Sequence, residues 1–200
     1  MKLLAFVDVH SSLNAIKKIA EKAKKSKPDL LICAGDISVF EQGLDYLLHK
    51  LNKINIPLLI IPGNHESEEE LEKSTSLFKN INHIHNKHFE KGNYIFFGYG
   101  GGGFSLIDPE FRKLGKKFEE KIKKSKSKKV ILITHAPPYN TKTDKIMKKS
   151  CGNKTIRQFI DKVKPDLVIT GHLHENAGKE DKVGKTKIIN PGPYGKIVEV

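Results

Sequence analysis

Five short apolar runs in this chain each stop on a residue able to bind a metal ion. No other feature constrains the fold as strongly. Residues 3–7 stop at Asp8-Val9-His10, and residues 30–34 at Gly35-Asp36. Residues 58–61 stop at Pro62-Gly63-Asn64-His65-Glu66, residues 130–134 at His135, and residues 167–170 at Gly171-His172-Leu173-His174. Short apolar runs bounded by Gly, Pro and Asp read as buried strands. In a layered α/β fold, strand ends converge on one rim, and sites form there. A side-chain period of two puts Asp8 and His10 on one side of the chain, and likewise His172 and His174. The glycines before Asp36, Asn64 and His172 allow tight turns or close backbone approach. Imidazole together with carboxylate suits first-row divalent ions: manganese, iron, nickel, cobalt or zinc.

Between these runs the apolar period becomes helical. Ser11 or Ser12 can cap a segment in which Leu13, Ile16, Ile19, Ala20 and Ala23 recur on one face. Leu44, Leu47, Leu48 and Leu51 mark a second helix, and residues 67–78 a third with Glu68, Glu69 and Glu70 in its first turn. Residues 94–97 read as a strand leading into a glycine tract. Asp108-Pro109 is a strong helix start, and that helix is expected to carry nine lysines between Lys113 and Lys129. Residues 155–163 read as a further helix. Residues 186–189 and 195–200 read as paired strands around Pro191-Gly192-Pro193. The longest expected loop is 137–152, and loops of that length are often functional. Tyr99, Tyr139, Asn140, Lys142 and Lys145 are candidates for substrate contact. No repeat or linker divides the chain, so residues 1–200 are expected to form a single domain.

Composition removes several classes. With 200 residues and 38% apolar side chains, the chain can build a core without staples. Cys33 and Cys151 are the sole cysteines and read as independent reduced thiols. No apolar run approaches the ~18 residues of a membrane helix. The N-terminus lacks the pattern of a secretory signal, so a cytoplasmic location is expected. The net charge of +13 could attract polyanions. All but Arg112 and Arg157 of the 36 basic residues are lysine, however, which favours a generic solvated surface over sequence-specific nucleic-acid reading. His49, His83, His85 and His88 share no spacing with one another and read as surface or core residues, with an incidental His83/His85/His88 metal clamp as the minor alternative. Gly100 to Gly103 lacks the Gly-Lys-Ser/Thr that follows a phosphate loop, so it reads as a loop bordering the site.

The ordered blocks Asp8-x-His10, Gly35-Asp36, Gly63-Asn64-His65-Glu66, His135 and Gly171-His172-x-His174 resemble the calcineurin-like metallophosphoesterases, in their small phosphodiesterase branch. Asn190-Pro191-Gly192 extends the likeness over nearly the whole chain. The resemblance implies a four-layer αββα fold of the α/β class, two mixed β-sheets packed face to face with flanking helices. It implies two divalent metal ions, manganese first, with iron, nickel, cobalt or zinc as alternatives. Asp8, His10, Asp36 and His174 would hold one ion. Asp36, Asn64, His135 and His172 would hold the other, with Asp36 shared. A shared carboxylate offsets the repulsion of two ions ~3.5–4 Å apart, and a hydroxide bridging them would attack phosphorus in line. His65 would stand outside the ligand set, as the catalytic residue facing the leaving group. Glu66 departs from the aspartate more usual after that histidine, and its extra methylene alters its reach if it orients His65. The expected reaction is hydrolysis of a small phosphodiester or phosphomonoester. A nuclease using the lysine-rich helix, or a non-catalytic metal-binding scaffold, are the alternatives.

Overall fold

The computed structural model describes residues 1–103, 105–125 and 127–200. Strands β1 (Lys2–Phe6), β2 (Leu30–Cys33), β3 (Leu58–Ile60) and β4 (Ile81–His83) run parallel in one sheet. Strand β13 (Lys196–Glu199) closes its near edge antiparallel to β1. The second sheet has strands β6 (Tyr94–Tyr99), β7 (Lys129–Thr134), β10 (Leu167–Ile169) and β12 (Thr186–Ile189) in parallel. Its two edges are the antiparallel strands β5 (His88–Lys91) and β11 (Glu180–Val183). A hairpin of β8 (Lys145–Ile146) and β9 (Lys149–Ser150) stands apart.

The alternation of side chains along the strands builds the layers. Leu3, Ala5, Leu30 and Ile32 point inward and meet Phe96, Ile131, Ile133 and Ile169 of the facing sheet. Leu4, Phe6, Leu31 and Cys33 point outward onto α1 (Leu13–Ser26), α2 (Leu44–Asn52) and α3 (Glu68–Ser76). Phe97, Leu132, Val168 and Ile188 point outward onto α4 (Pro109–Lys124) and α5 (Lys154–Val163). Both faces of each sheet are covered, which is why the central strands are apolar throughout. Each fully buried Leu or Ile stabilises the fold by roughly 1.5–3 kcal/mol. The architecture is the expected four-layer αββα sandwich.

Helix starts follow local chemistry. Ser12 is the cap of α1, accepting the Ala15 N–H at 3.2 Å. Asp108 accepts the Phe111 N–H at 2.8 Å, with Pro109 at the first helical position. Two expectations need correction. The lysine-rich helix stops at Lys124, and Lys129 opens β7; Lys126, counted in that run, lies outside the described residues. The C-terminal strands do not pair with each other. β12 is flanked by β10 and β11, which occupy both its edges, so the chain crosses at residues 190–195 to the other sheet and pairs with β1. Among the described residues, no helix is long and apolar enough to cross a membrane.

Candidate metal centre

The ends of β1, β2, β3, β7 and β10 bring the expected side chains together. Asp36 is fully buried at the centre. Its Oδ1 accepts the backbone N–H of His65 at 3.0 Å. Its Oδ2 lies 3.6 Å from His10 Nε2 and 3.3 Å from His135 Nε2. On one side, His10 Nε2 and His174 Nε2 are 2.9 Å apart, and His174 Nε2 is 3.9 Å from Asp8 Oδ1. On the other, Asn64 Oδ1 is 3.1 Å from His135 Nε2 and 2.8 Å from His172 Nδ1. Asp36 thus adjoins both groups.

The backbone is bent to achieve this. Asp8, His10, Asp36 and His172 all have positive φ, at 56°, 45°, 53° and 68°. Such conformations cost about 1 kcal/mol or more each in a non-glycine residue, and they concentrate at functional sites. Hydrogen bonds hold them: Asp8 N–H to the Gly35 carbonyl at 3.2 Å, and His10 N–H to the Asp36 carbonyl at 3.0 Å. Asp8 Oδ1 accepts the His172 N–H at 3.2 Å, tying the first strand end to the last. Gly35 needs its φ of 101°, and Gly63 permits the closest approach, since a Cβ there would lie 1.9 Å from Asp36 Oδ1.

The residues fit divalent metal on their own chemistry. Asp8 Oδ2 and Asp36 Oδ2 are buried without a hydrogen-bond partner among the described residues. Leaving a carboxylate oxygen in that state is costly unless a cation satisfies it. One ligand atom from each of Asp8, His10, Asp36 and His174 fits within a span of 4.8 Å. Donors bound to one ion at ~2.1 Å lie no more than ~4.2 Å apart, so a small closure of this set would seat an ion. His135 Nδ1 is 2.9 Å from the Ala34 carbonyl, so Nδ1 donates its proton there and Nε2 is the ring atom turned inward to the cluster.

The electrostatics also favour positive charge. Burial works to raise the Asp36 pKa, but the neighbouring His135, the His65 N–H and His10 outweigh it and hold the carboxyl at about 2. Burial lowers the pKa of His135, and Asp36 and Asp8 more than reverse this. His172 is pushed down to about 4 by burial and by its neighbour His135, which keeps it a neutral donor.

His65 sits at the edge of the cluster, its ring 4.8 Å from that of His10. Glu66 does not orient it. The Glu66 carboxylate instead receives Asp36 N–H, Gly63 N–H, Ser38 N–H and the Ser38 hydroxyl at 2.7–3.0 Å. Sequence reasoning missed Ser38, which no spacing marks. It also missed Phe40, whose ring packs 4.5 Å from His65. Tyr99, expected near substrate, is buried and donates to Asp108 at 2.7 Å. The 137–152 loop is organised internally by buried Asp144, which accepts the N–H groups of Asn140, Thr141 and Gly152. Lys145 Nζ is taken up by Ser150 Oγ at 2.5 Å, and Lys142 meets Asp181 through its backbone. Of the other histidines, His83 and His85 stack against each other at 6.2 Å in the half-buried region beside Glu68 and Glu72.

A two-sheet α/β sandwich with carboxylate, amide and imidazole donors converging at its strand ends defines a metal-dependent hydrolase. Residues 1–176 match the calcineurin-like phosphoesterase family, and the chain belongs to it. It is therefore a metal-dependent phosphoric ester hydrolase. A protein of Methanocaldococcus jannaschii, MJ1162, is 30% identical over 99% of this chain and 91% of its own length. A probable glycerophosphodiester phosphodiesterase, GpdQ, of Arcobacter nitrofigilis is 26% identical over 84% of this chain, which spans 64% of that protein. The fold is similar to that of a dimetal phosphatase from Danio rerio, with a TM-score of 0.67 at 11% identity, covering 94% of this chain and 86% of the other.

Proposed function

We propose that the protein hydrolyses small phosphodiesters or phosphomonoesters with two divalent ions. Asp8, His10, Asp36 and His174 would hold one ion, and Asp36, Asn64, His135 and His172 the other. When bound, the ions supply Lewis acidity to the phosphoryl oxygens and the means to ionise water near neutral pH. The observation that carries this reading is the buried Asp36 Oδ2, which has no hydrogen-bond partner among the described residues and faces both His10 and His135.

The chain's own residues do the rest. Asp8 and Asp36 hold the negative charge that draws the ions in. Asn64 adds a neutral oxygen and so leaves the site electrophilic. His65 gives its proton to the alkoxide oxygen as the bond from phosphorus to the leaving group breaks; the oxygen that forms the new bond to phosphorus comes from water that has already lost one proton to solvent. A relative that is a probable phosphodiesterase and a dimetal phosphatase of similar fold keep both ester classes in view. Manganese is the first metal to try, with iron, nickel, cobalt and zinc behind it. Two unpaired thiols, one of them buried, suit a cytoplasmic location.

Metal analysis of the purified protein, followed by assay of manganese-loaded protein on a panel of mono- and diesters, tests the reading. About two ions per chain and turnover of at least one ester class are expected. Metal-loaded protein that turns over none of them would sink it.

A further inference from the structure

Phe40 is an exposed aromatic that belongs to none of the hydrophobic clusters of the core. Its relative exposure is 70%. Phe40 and Glu41 form the centre of a turn closed by Gln42 N–H to the Val39 carbonyl at 3.1 Å, with φ of 47° and 65°. Two successive positive φ values favour Asn and Gly, and a bulky aromatic there is strained. The turn is nevertheless pinned on both sides. Glu41 N–H reaches Ser38 Oγ at 3.2 Å, Val39 N–H reaches Ser11 Oγ at 3.2 Å, and the Glu41 carboxylate takes the Ser67 N–H at 2.7 Å and its hydroxyl at 2.6 Å. Ser38 is itself held by Glu66, which anchors the Asp36 loop.

The turn sets the Phe40 ring against that of His65, at the margin of the site. His174, His10, His65 and Phe40 follow one another ring to ring at 4.7, 4.8 and 4.5 Å. Phe40 therefore lies one ring beyond the residue assigned to the leaving group, with most of its surface open to solvent. A flat ring carried by the departing alcohol would pass over His65 and stack there, and an open aromatic face attracts such rings more than saturated groups of equal size.

We propose that Phe40 is a specificity-determining residue, a platform that favours phosphoesters whose leaving alcohol carries an aromatic ring. This rests on the proposed reaction for its direction, since His65 marks the leaving-group side.

The test reads binding independently of turnover. The chain has no tryptophan, so Phe40→Trp introduces a single indole at the platform. Phenylphosphonate, cyclohexylphosphonate and methylphosphonate, which cannot be hydrolysed at the P–C bond, are titrated against manganese-loaded protein. Phenylphosphonate is expected to perturb the indole emission saturably and to bind about tenfold tighter than methylphosphonate, the upper range for one aromatic contact. In Phe40→Ala, followed by calorimetry, that ratio is expected to fall towards one. Equal affinity for the phenyl and cyclohexyl compounds, or a phenyl preference that survives in Phe40→Ala, would overturn the platform. Wild-type protein that hydrolyses no ester yet keeps the Phe40-dependent phenyl preference would defeat the proposed reaction and leave the platform standing.

Discussion

Glu66 accepts the backbone N–H of Asp36 at 3.0 Å, and the same carboxylate oxygen accepts the N–H of Gly63 at 2.9 Å. One buried side chain thereby ties the loop after β2 to the loop after β3, the two loops that supply Asp36 and Asn64. Four donors converge on its two oxygens once Ser38 is included. An amide in this place would turn an N–H₂ towards donors. Glu66→Gln is expected to lower unfolding free energy by about 2–4 kcal/mol, the cost of unmaking buried charge-assisted hydrogen bonds. Glu66→Asp should lose less, because it keeps the charge and loses only reach. Urea unfolding of the metal-free proteins measures both, and a Gln variant as stable as wild type would remove Glu66 as the tie.

Asp36→Asn separates metal binding from folding. The substitution preserves shape and removes the charge that both halves of the cluster share. Wild-type protein is expected to gain about 2.7 kcal/mol with manganese at ~100 times its Kd, a rise in Tm of about 5–10 °C for a chain of this size. The variant should show little of this gain, and hydrolysis of any ester the wild type cleaves should be abolished. Differential scanning calorimetry with and without manganese decides the matter: an undiminished shift in the variant would displace Asp36 from the centre of the site.

Gly63→Ala places a methyl group 1.9 Å from Asp36 Oδ1 and 2.5 Å from its backbone N. No flexible side-chain end is available to give way, because Asp36 is buried and hydrogen-bonded. A loss of about 3 kcal/mol is expected, at the upper end of overpacking costs. Gly103→Ala is the control, since a Cβ there meets nothing within 4 Å among the described residues. Thermal melts of the two variants side by side should differ widely, and equal melts would refute the close approach.

The sequence showed the interior of the fold better than its edges. Central strands such as β2 and β10 are buried on both faces, so their apolar runs stood out. Besides the short β8 and β9 inside the expected 137–152 loop, the strands it did not reveal, β4, β5 and β11, lie at sheet edges and read Ile-Asn-His, His-Phe-Glu-Lys and Glu-Asp-Lys-Val. Edge strands carry polar and charged residues, which erases the period that marks a strand. The same division holds at the site. Asp8, His10, Asp36, Asn64, His135, His172 and His174 were visible because each follows an apolar run at a regular place. Glu66 was visible as a residue but not as a tie, because three of its four donors belong to a loop some thirty positions earlier. Phe40 carried no signal, since an exposed aromatic in a turn gains its meaning from the ring beside it.

His83 predicts an acid weakness remote from the metal centre. Its side chain is 4% exposed, and both ring nitrogens lack a hydrogen-bond partner among the described residues. Burial lowers its pKa, the nearby Lys87 charge adds to this, and Glu72 only partly compensates, leaving it at about 4. Unfolded, the ring takes up a proton near pH 6.5. The folded state is therefore neutral in a range where the unfolded state is protonated. The His83 contribution is fully present above about pH 6.5 and is lost as pH falls towards 4. A drop of the order of 1 kcal/mol between pH 7 and pH 5 is expected from this residue, allowing for solvent screening at the exposed Glu72 and Lys87. His83→Asn cannot titrate, so its stability should fall less over the same interval. Urea unfolding of metal-free wild type and variant at both pH values gives the two slopes. Parallel slopes would show that His83 does not drive the acid loss.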